Sequence, residues 1–510
     1  MKPNFRNPSP PPRRGVAGPG AAQAQAHVHK GLALQQKGQH DQARDSYLQA
    51  LKLQPANFDA LHLLGVLAYL GGQPAQAVEW IGKAIAVNTT NAQAFNNRSA
   101  AWRSLGQFAE AVADCDRAVA LKPDYAEAWN NRGAALRGLK QAEAALASYE
   151  RAIALNPGYA DAWNNRGNAL IDLGQYPAAV ESYDQAIRAH AGYAEAWYNR
   201  GNALRAMGQH QAAVDSYDRA IALRPQHAPA HNNRGNALGD LQRHQEALES
   251  YDQALLLRPA HAETHKNRGV ALGHLKQYQA AVDSYDRAIA LRPDDAETWS
   301  NRGVALAELE RYTEAMASYD RAIACRADYA EAHNNRGATL GHLRQYLAAA
   351  ENYERAIAIR PDYAEAWNNR GVALGNMRQY PAAMESYERA VALRPDYADA
   401  WRNRSFTLGH LGQPRQAIEG YERAIALEPD HAGAHLHQSL CLLQVGDFEA
   451  GWERYEWRWK DEAVRQAARH FSQPLWTGAE PLQGKTILLH AEQGLGDTLQ
   501  FCRYAKQVRA

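Results

Sequence analysis

One register position recurs every 34 residues along most of this chain. Counted from Pro55, it falls at Thr89, Pro123, Pro157, Ala191, Pro225, Pro259, Pro293, Ala327, Pro361, Pro395 and Pro429, without an insertion. A step that constant leaves few folds open, because each period must be one small element that buries its apolar face against its neighbours. With that residue numbered 32, repeats begin at 24, 58, 92, 126 and onward to 398. A thirteenth, from 432, keeps the length and loses much of the pattern. The 510 residues therefore read as one array rather than as several unrelated domains.

Each repeat divides into two helical halves. In 126–159, "AEAWNNRGAALRGL" places Ala126, Trp129, Gly133 and Leu136 at helical spacing, and a break at "KQ" follows. "AEAALASYERAIAL" then sets Ala145, Tyr149, Ala152 and Ile153 on one face. Pro157, lacking an N–H and clashing with the preceding turn, is expected to stop the second helix. Replacing proline by Thr89 or Ala191 should alter only local turns. Glycine at position 8 and alanine at position 20 let the two helices approach closely.

Composition narrows the function. With 56 basic and 55 acidic side chains the formal charge is +1. That balance lacks the basic field of a nucleic-acid or membrane-surface binder. No stretch approaches the ~18 apolar residues of a membrane span. Cys115, Cys325, Cys441 and Cys502 show no paired spacing for zinc or a disulfide framework, and read as buried free thiols in a reducing, cytoplasmic compartment. Neither a metal site nor a cofactor is expected. Residues 1–23, rich in Pro, Gly and Arg, read as a disordered basic tail.

The pattern of a large residue at position 4, Gly at 8, Ala at 20, an aromatic at 24, Ala at 27 and Pro at 32 is met by Trp129, Gly133, Ala145, Tyr149, Ala152 and Pro157. It resembles the tetratricopeptide repeat and spans about 24–465. The resemblance implies an all-α, right-handed superhelical solenoid whose first helices line a concave groove.

Position 6 holds Asn97, Asn131, Asn165, Asn199, Asn233, Asn267, Asn301, Asn335, Asn369 and Asn403. Asparagine is a middling helix former, so ten in one register imply work for the side chain. A carboxamide offers a donor and an acceptor, and can meet a peptide backbone without reading its sequence. The row is similar to the asparagine ladder in the solenoid of O-linked N-acetylglucosamine transferases. By that resemblance these ten residues would hold extended peptide. The competing structural reading has them solvated or bonded to the next repeat. Position 5 varies, from Asn130 and Asn164 to Tyr198, Lys266 and Arg402, and could tune selectivity.

Position 7 carries arginine, from Arg98 through Arg404, where tetratricopeptide repeats usually have an apolar residue. Position 25 is acidic in the same repeats, from Asp116 through Glu422, which predicts pairing between the two rows. Phosphate binding is the sharper alternative for the arginines. The acids at position 2 suit a solvated helix start, with a preference for basic peptides as the alternative reading. Trp and His alternate at position 4, as in Trp129 and His231, and read as packing residues.

The thirteenth repeat closes with "FEAGWERYEWRWKDEA", whose Trp452, Tyr455, Trp457 and Trp459 should seal the array. After a linker at 466–485, Ile487–Leu489, Gly494, Gly496 and Asp497 read as strand, glycine loop and helix N-cap. "HAEQGLGDTLQFCRY" resembles the start of a bacterial, heptosyltransferase-like glycosyltransferase domain. By that resemblance Asp497 would be a general base, and Gly494 and Gly496 a phosphate or sugar-donor loop. A βαβ unit needs about 30 residues or more, so 486–510 reads as the truncated start of such a domain. No transferase activity is expected, and sugar nucleotide would bind only a complete domain. The expected partners are proteins or extended peptides. A repeat-by-repeat RNA code fits poorly with near-neutral charge and the acidic position 2.

Overall fold

The computed structural model describes residues 19–460. Among them are 26 α-helices, a 3-10 turn at Glu456–Lys460 and no strand. The all-α repeat solenoid expected from the period is the architecture observed. The linker at 466–485 and the strand, loop and helix with Gly494, Gly496 and Asp497 lie outside the described residues, as do 1–18 of the expected tail. The first helix runs Pro19–Gln36, so residues 19–23 belong to helix rather than to a tail. Pro19 suits the first helical position, and Ala21 and Ala22 extend it.

The chain forms two compact units, the first ending at Leu291 and the second beginning at Arg292. Each is a stack of antiparallel hairpins. A first helix such as Ala126–Gly138 packs on a second such as Ala142–Leu155, which packs on the first helix of the next repeat. Within each stack, successive first helices also touch one another, whereas successive second helices make no contact of that extent. The first helices therefore stand closest together.

Position 8 sets how near the two helices come. A Cβ at Gly133, Gly167, Gly201 or Gly235 would stand 2.5–2.6 Å from Cε1 of Tyr149, Tyr183, Tyr217 or Tyr251. Only a residue without a side chain admits the ring. Where position 24 shrinks to Cys115, position 8 grows to Ser99. Where position 8 is Ser405 under Tyr421, its Oγ fills the space that a side chain at Gly420 would need. The volume is conserved and its source changes. The core then runs on between hairpins, as through Leu204, Tyr217, Leu238, Tyr251 and Ala271.

Proline at position 32 proves not to be what stops the second helix. Helices Pro74–Val87, Tyr176–Ala189 and Tyr312–Cys325 lead to Thr89, Ala191 and Ala327, yet end in the same register as Ala142–Leu155 before Pro157. After Val87, the C-cap Asn88 turns extended, and its Oδ1 accepts from the Thr90 N–H. Packing of the next hairpin sets the end, and proline fits a turn already made. The thiols divide as well. Cys115 and Cys441 are buried, but Cys325 is exposed at the last position of its helix, so the expectation of a buried thiol fails there.

The glycine geometry predicts opposite outcomes for one substitution at two sites. Gly235→Ala should lower stability by about 1–3 kcal/mol through overpacking against Tyr251. Gly273→Ala, where a Cβ meets nothing within 4 Å, should raise it by about 0.5–1 kcal/mol through helix propensity. Urea unfolding of the full chain, with amide exchange in the affected helices, checks both. Equal responses would contradict the close-approach account.

Candidate functional site

The site is built on the first helices. Positions 2, 6, 9 and 13 follow one another at i, i+4, i+7 and i+11, so they form one stripe along each helix. Because the first helices are the ones in mutual contact, these stripes lie side by side in each stack.

Position 6 carries the asparagines of the sequence pattern. Asn97 is buried, and Asn131, Asn165, Asn199, Asn233, Asn267, Asn301, Asn335, Asn369 and Asn403 are half-buried. The Nδ2 groups of eight of these ten reach the preceding repeat. Asn131 donates to Asn96 Oδ1 at 2.9 Å, Asn165 to Asn130 at 3.0 Å and Asn199 to Asn164 at 3.0 Å. In the second stack Asn369 donates to Asn334 at 3.2 Å and Asn403 to Asn368 at 3.0 Å. Asn233 donates to Tyr198 Oη and Asn202 Oδ1, and Asn267 to Asn236 Oδ1. The donor half of the amide is thus used between repeats. On Asn165, Asn199 and Asn403, Oδ1 has no partner among the described residues. Bidentate capture of a peptide by one amide would require giving up the inter-repeat bond.

Sequence reasoning missed the role of position 5. It varies because several side chains can accept that donor: the Asn96 amide, the Tyr198 hydroxyl and the His62 ring. Asn96, Asn130, Asn164 and Asn368 are buried there. Position 9 was missed too. Asn168, Asn202 and Asn236 accept from the hydroxyls of Tyr183, Tyr217 and Tyr251. Their run of three at one register was the available signal. Around Asn202 and Asn233 a recess of about 380 Å³ opens, bordered by Arg205 and Asp240, which pair at 2.7 Å.

The arginines at position 7 are structural. Arg132, Arg200, Arg234 and Arg268 place Nε 2.6–2.7 Å from the position-25 carboxylates Asp116, Asp184, Asp218 and Asp252 of the preceding repeat. Their Nη1 groups donate to position-23 hydroxyls of their own repeat: Ser148, Ser216, Ser250 and Ser284. Each serine in turn donates to the carbonyl four residues back. Gly82 occupies position 25 before Arg98, which turns instead to Asp114 in its own repeat at 2.6 Å. With the guanidinium heads committed this way, the phosphate alternative has no support.

Trp and His alternate at position 4 because both supply a ring N–H to one carbonyl. Trp129 and Trp163 donate to the Pro123 and Pro157 oxygens at 3.0 and 2.9 Å, and His231 and His265 make the same contact to Pro225 and Pro259. Donation from Nε2 leaves His265 Nδ1 bare and buried. Desolvation holds the pKa of His265 and His333 below the usual histidine value. The position-2 acids close their own repeats, Glu331 on Arg360 and Glu365 on Arg394.

Burial pushes the Cys115 thiol up to about 12, so it is no nucleophile at neutral pH. Among the described residues no group of three His, Cys, Asp or Glu is placed to hold a metal, and no helix is long and apolar enough to cross a membrane. Asp497, Gly494 and Gly496 lie outside the described residues.

Family models described as tetratricopeptide repeat match residues 164–228, 232–296, 275–330 and 408–451, and also 126–159 and 364–397. A model described as TPR repeat matches 31–72, 100–139 and 345–377. Together they span well over half of the chain. Similar solved structures include the Cut9-Hcn1 hetero-tetramer of APC/C, at 12% identity and a TM-score of 0.45, covering 82% of this chain and 96% of that one. Yeast Tom70 has 16% identity and a TM-score of 0.40, with 83% and 96% covered. YrrB, described as a TPR protein with an unusual peptide-binding site, has 25% identity and a TM-score of 0.33, with 36% and 95% covered. No curated protein matches the chain.

The start of the position-5 row predicts a pH dependence. Burial pushes His62 down to about 4, with Nε2 accepting from Asn97. A folded pKa below the unfolded 6.5 means stability is fully present above about 6.5 and is lost as pH falls toward 4. The loss should reach roughly 3 kcal/mol. Amide protection in Phe58–Leu70 and Ala92–Ser104, measured between pH 7 and 4, should fall in the wild type and stay flatter in His62→Asn. A wild-type profile as flat as the variant's would contradict it.

Proposed function

The chain belongs to the tetratricopeptide repeat proteins, and on that premise we propose that it is a protein-interaction scaffold holding extended peptide segments along the position-6 stripe. One observation carries the reading. The half-buried carboxamides line up in one register on the helices that stand closest together, and several keep Oδ1 uncommitted. Those oxygens can accept from the N–H groups of a bound chain running across successive repeats.

Energetics make the ladder an aligning device. One such bond contributes about 1 kcal/mol net. Ordering a peptide residue costs about 1–2 kcal/mol. The carboxamides therefore set direction and frame, and side-chain contacts supply the affinity. Binding is weak and broad unless many rungs act together. Free thiols at Cys115 and Cys441 fit a cytoplasmic setting.

A second reading makes the array the substrate-recruiting part of a glycosyltransferase, with Asp497, Gly494 and Gly496 at the start of its catalytic domain. It rests on the sequence alone, at 490–504 together with the preceding 451–459. Under it the stripe keeps the same role, and sugar nucleotide is a ligand only of the complete transferase.

The test is a peptide-array screen with the full chain and two variants. Changing Asn131, Asn165, Asn199 and Asn233 together to Ala should weaken peptide binding by at least about tenfold. Changing buried Asn130 and Asn164 to Ser, the residue found at position 5 as Ser300, disturbs the inter-repeat bonds and spares the half-buried position-6 amides. It should leave affinity within about twofold. Unchanged binding in the fourfold variant would reject the ladder.

A further inference from the structure

The same stripe changes character along the chain. In the first stack, position 9 is Asn168, Asn202 and Asn236 in three successive repeats, each committed to a tyrosine hydroxyl. At Val270, in the last repeat of that stack, it turns apolar, and in the second stack it is Val304, Ala338, Val372, Phe406 and Leu440. Four of these are large apolar side chains left 38–49% exposed: Val304, Val372, Phe406 and Leu440. Val304, Val372 and Phe406 stand one helical turn from Asn301, Asn369 and Asn403, and Leu440 from His437. Position 12 clears space beside them. It holds Arg103, Arg137 and Arg205 early in the first stack, turns to Gly239 and Gly273 at that stack's end, and is Gly341, Gly375 and Gly409 in the second. A row of exposed apolar residues at one register, next to the uncommitted Oδ1 of Asn403 and beside glycines, is a trough with an apolar floor.

Building on the peptide-scaffold reading, we propose that repeats 296–445 bind a non-acidic peptide segment in polyproline II conformation that places an apolar side chain on the stripe at every third residue.

Pitch argues for that conformation. Packed helices stand about 8–10 Å apart. A polyproline II helix repeats every 3 residues at ~3.1 Å each, about 9.3 Å per turn, and shows the same face each time. A β-extended chain has period two, so side chains three residues apart point to opposite faces and only every other one could meet the stripe. Polyproline II backbone also makes no internal hydrogen bonds, which leaves its N–H groups for oxygens such as Asn403 Oδ1. Flat ring walls border the trough at position 13. His342 stacks on Tyr312 with centroids 5.8 Å apart, and His410 on Tyr380 at 5.0 Å. Aromatic-lined grooves are a general way to hold this conformation.

Charge sets the third condition. The carboxylates of Glu297, Glu308, Glu331, Glu365 and Asp399 lie on the stripe, and Arg402, beside it at position 5, lies 3.5 Å from Asp399. Arg360 and Arg394 neutralise Glu331 and Glu365, and the balance stays acidic. A peptide carrying carboxylates is repelled, and a neutral or basic one is accepted.

The experiment uses fluorescence anisotropy with the full-length chain and labelled peptides of about 18 residues, or six polyproline II turns. One has Leu at every third position among Pro, Ser and Lys. A second has the same composition with its Leu residues alternating with other residues over one central stretch. A third replaces Lys by Glu in the first. The every-third peptide should bind at least about tenfold tighter than either other. A triple variant, Val304→Asn, Val372→Asn and Phe406→Asn, should erase that difference, and asparagine already occupies position 9 at Asn168, Asn202 and Asn236. Equal affinity for both Leu spacings, or a preference that survives in the triple variant, overturns this proposal and leaves the scaffold reading standing. Failure of every peptide to bind the wild type removes the scaffold reading and the proposal together. A dimer broken by the triple variant assigns the stripe to a second copy of the chain and also overturns it.

Discussion

The structure depends on a guanidinium shared among three helices. Arg234 stands on the first helix of its repeat. Its Nε reaches Asp218 on the second helix of the preceding repeat, and its Nη1 reaches Ser250 on the second helix of its own. A slip of one residue at either interface turns that residue about 100° and loses both contacts. Each pair is partly exposed, so it contributes modestly. Recurrence is what makes it strong as a register device. The same fork appears at Arg132, Arg200 and Arg268. The hydrophobic core alone, with alanine at so many contact positions, would tolerate shifts that the charges do not.

That register is why residues 34 apart in sequence end up side by side. The carboxamides at position 6 align because the hairpins beneath them cannot slide. Binding capacity then follows from what the first-helix stripe presents at each level, and it differs between the stacks. In three repeats of the first stack the tyrosine hydroxyl is bonded to an asparagine at position 9. In the second stack Val304, Val372 and Phe406 leave an apolar line at the same register. One scaffold geometry can therefore carry two surfaces with different preferences. The conserved internal geometry costs neither of them freedom to vary.

Much of this was legible in the sequence. The period, the hairpins and the two charged rows were visible because each recurs at a constant register. What stayed hidden were interactions met by chemically different residues. Position 5 looked variable because asparagine, tyrosine and histidine all accept the position-6 donor. Position 4 looked like mixed packing because indole and imidazole both deliver an N–H to the same carbonyl. Ser148 and its equivalents at position 23 escaped notice because serine in an alanine-rich helix draws no attention until an arginine is found beside it. The role given to proline at position 32 was wrong for a physical reason: helices ending before Thr89 and Ala191 show that packing had already set the stop. Lys140, Gln242 and Arg378 hold a left-handed turn conformation that Gly174 and Gly208 take without strain, a demand hidden wherever glycine is absent.

A double-mutant cycle on Arg234→Met and Asp218→Asn tests the shared-guanidinium account most directly. The readout is amide exchange in His210–Leu223 and Ala228–Asp240, the helices on either side of the interface. The account predicts a coupling of about 0.5–1 kcal/mol and protection lost on both sides when either partner is removed. Strictly additive effects, with each loss confined to the repeat carrying the substitution, would contradict it.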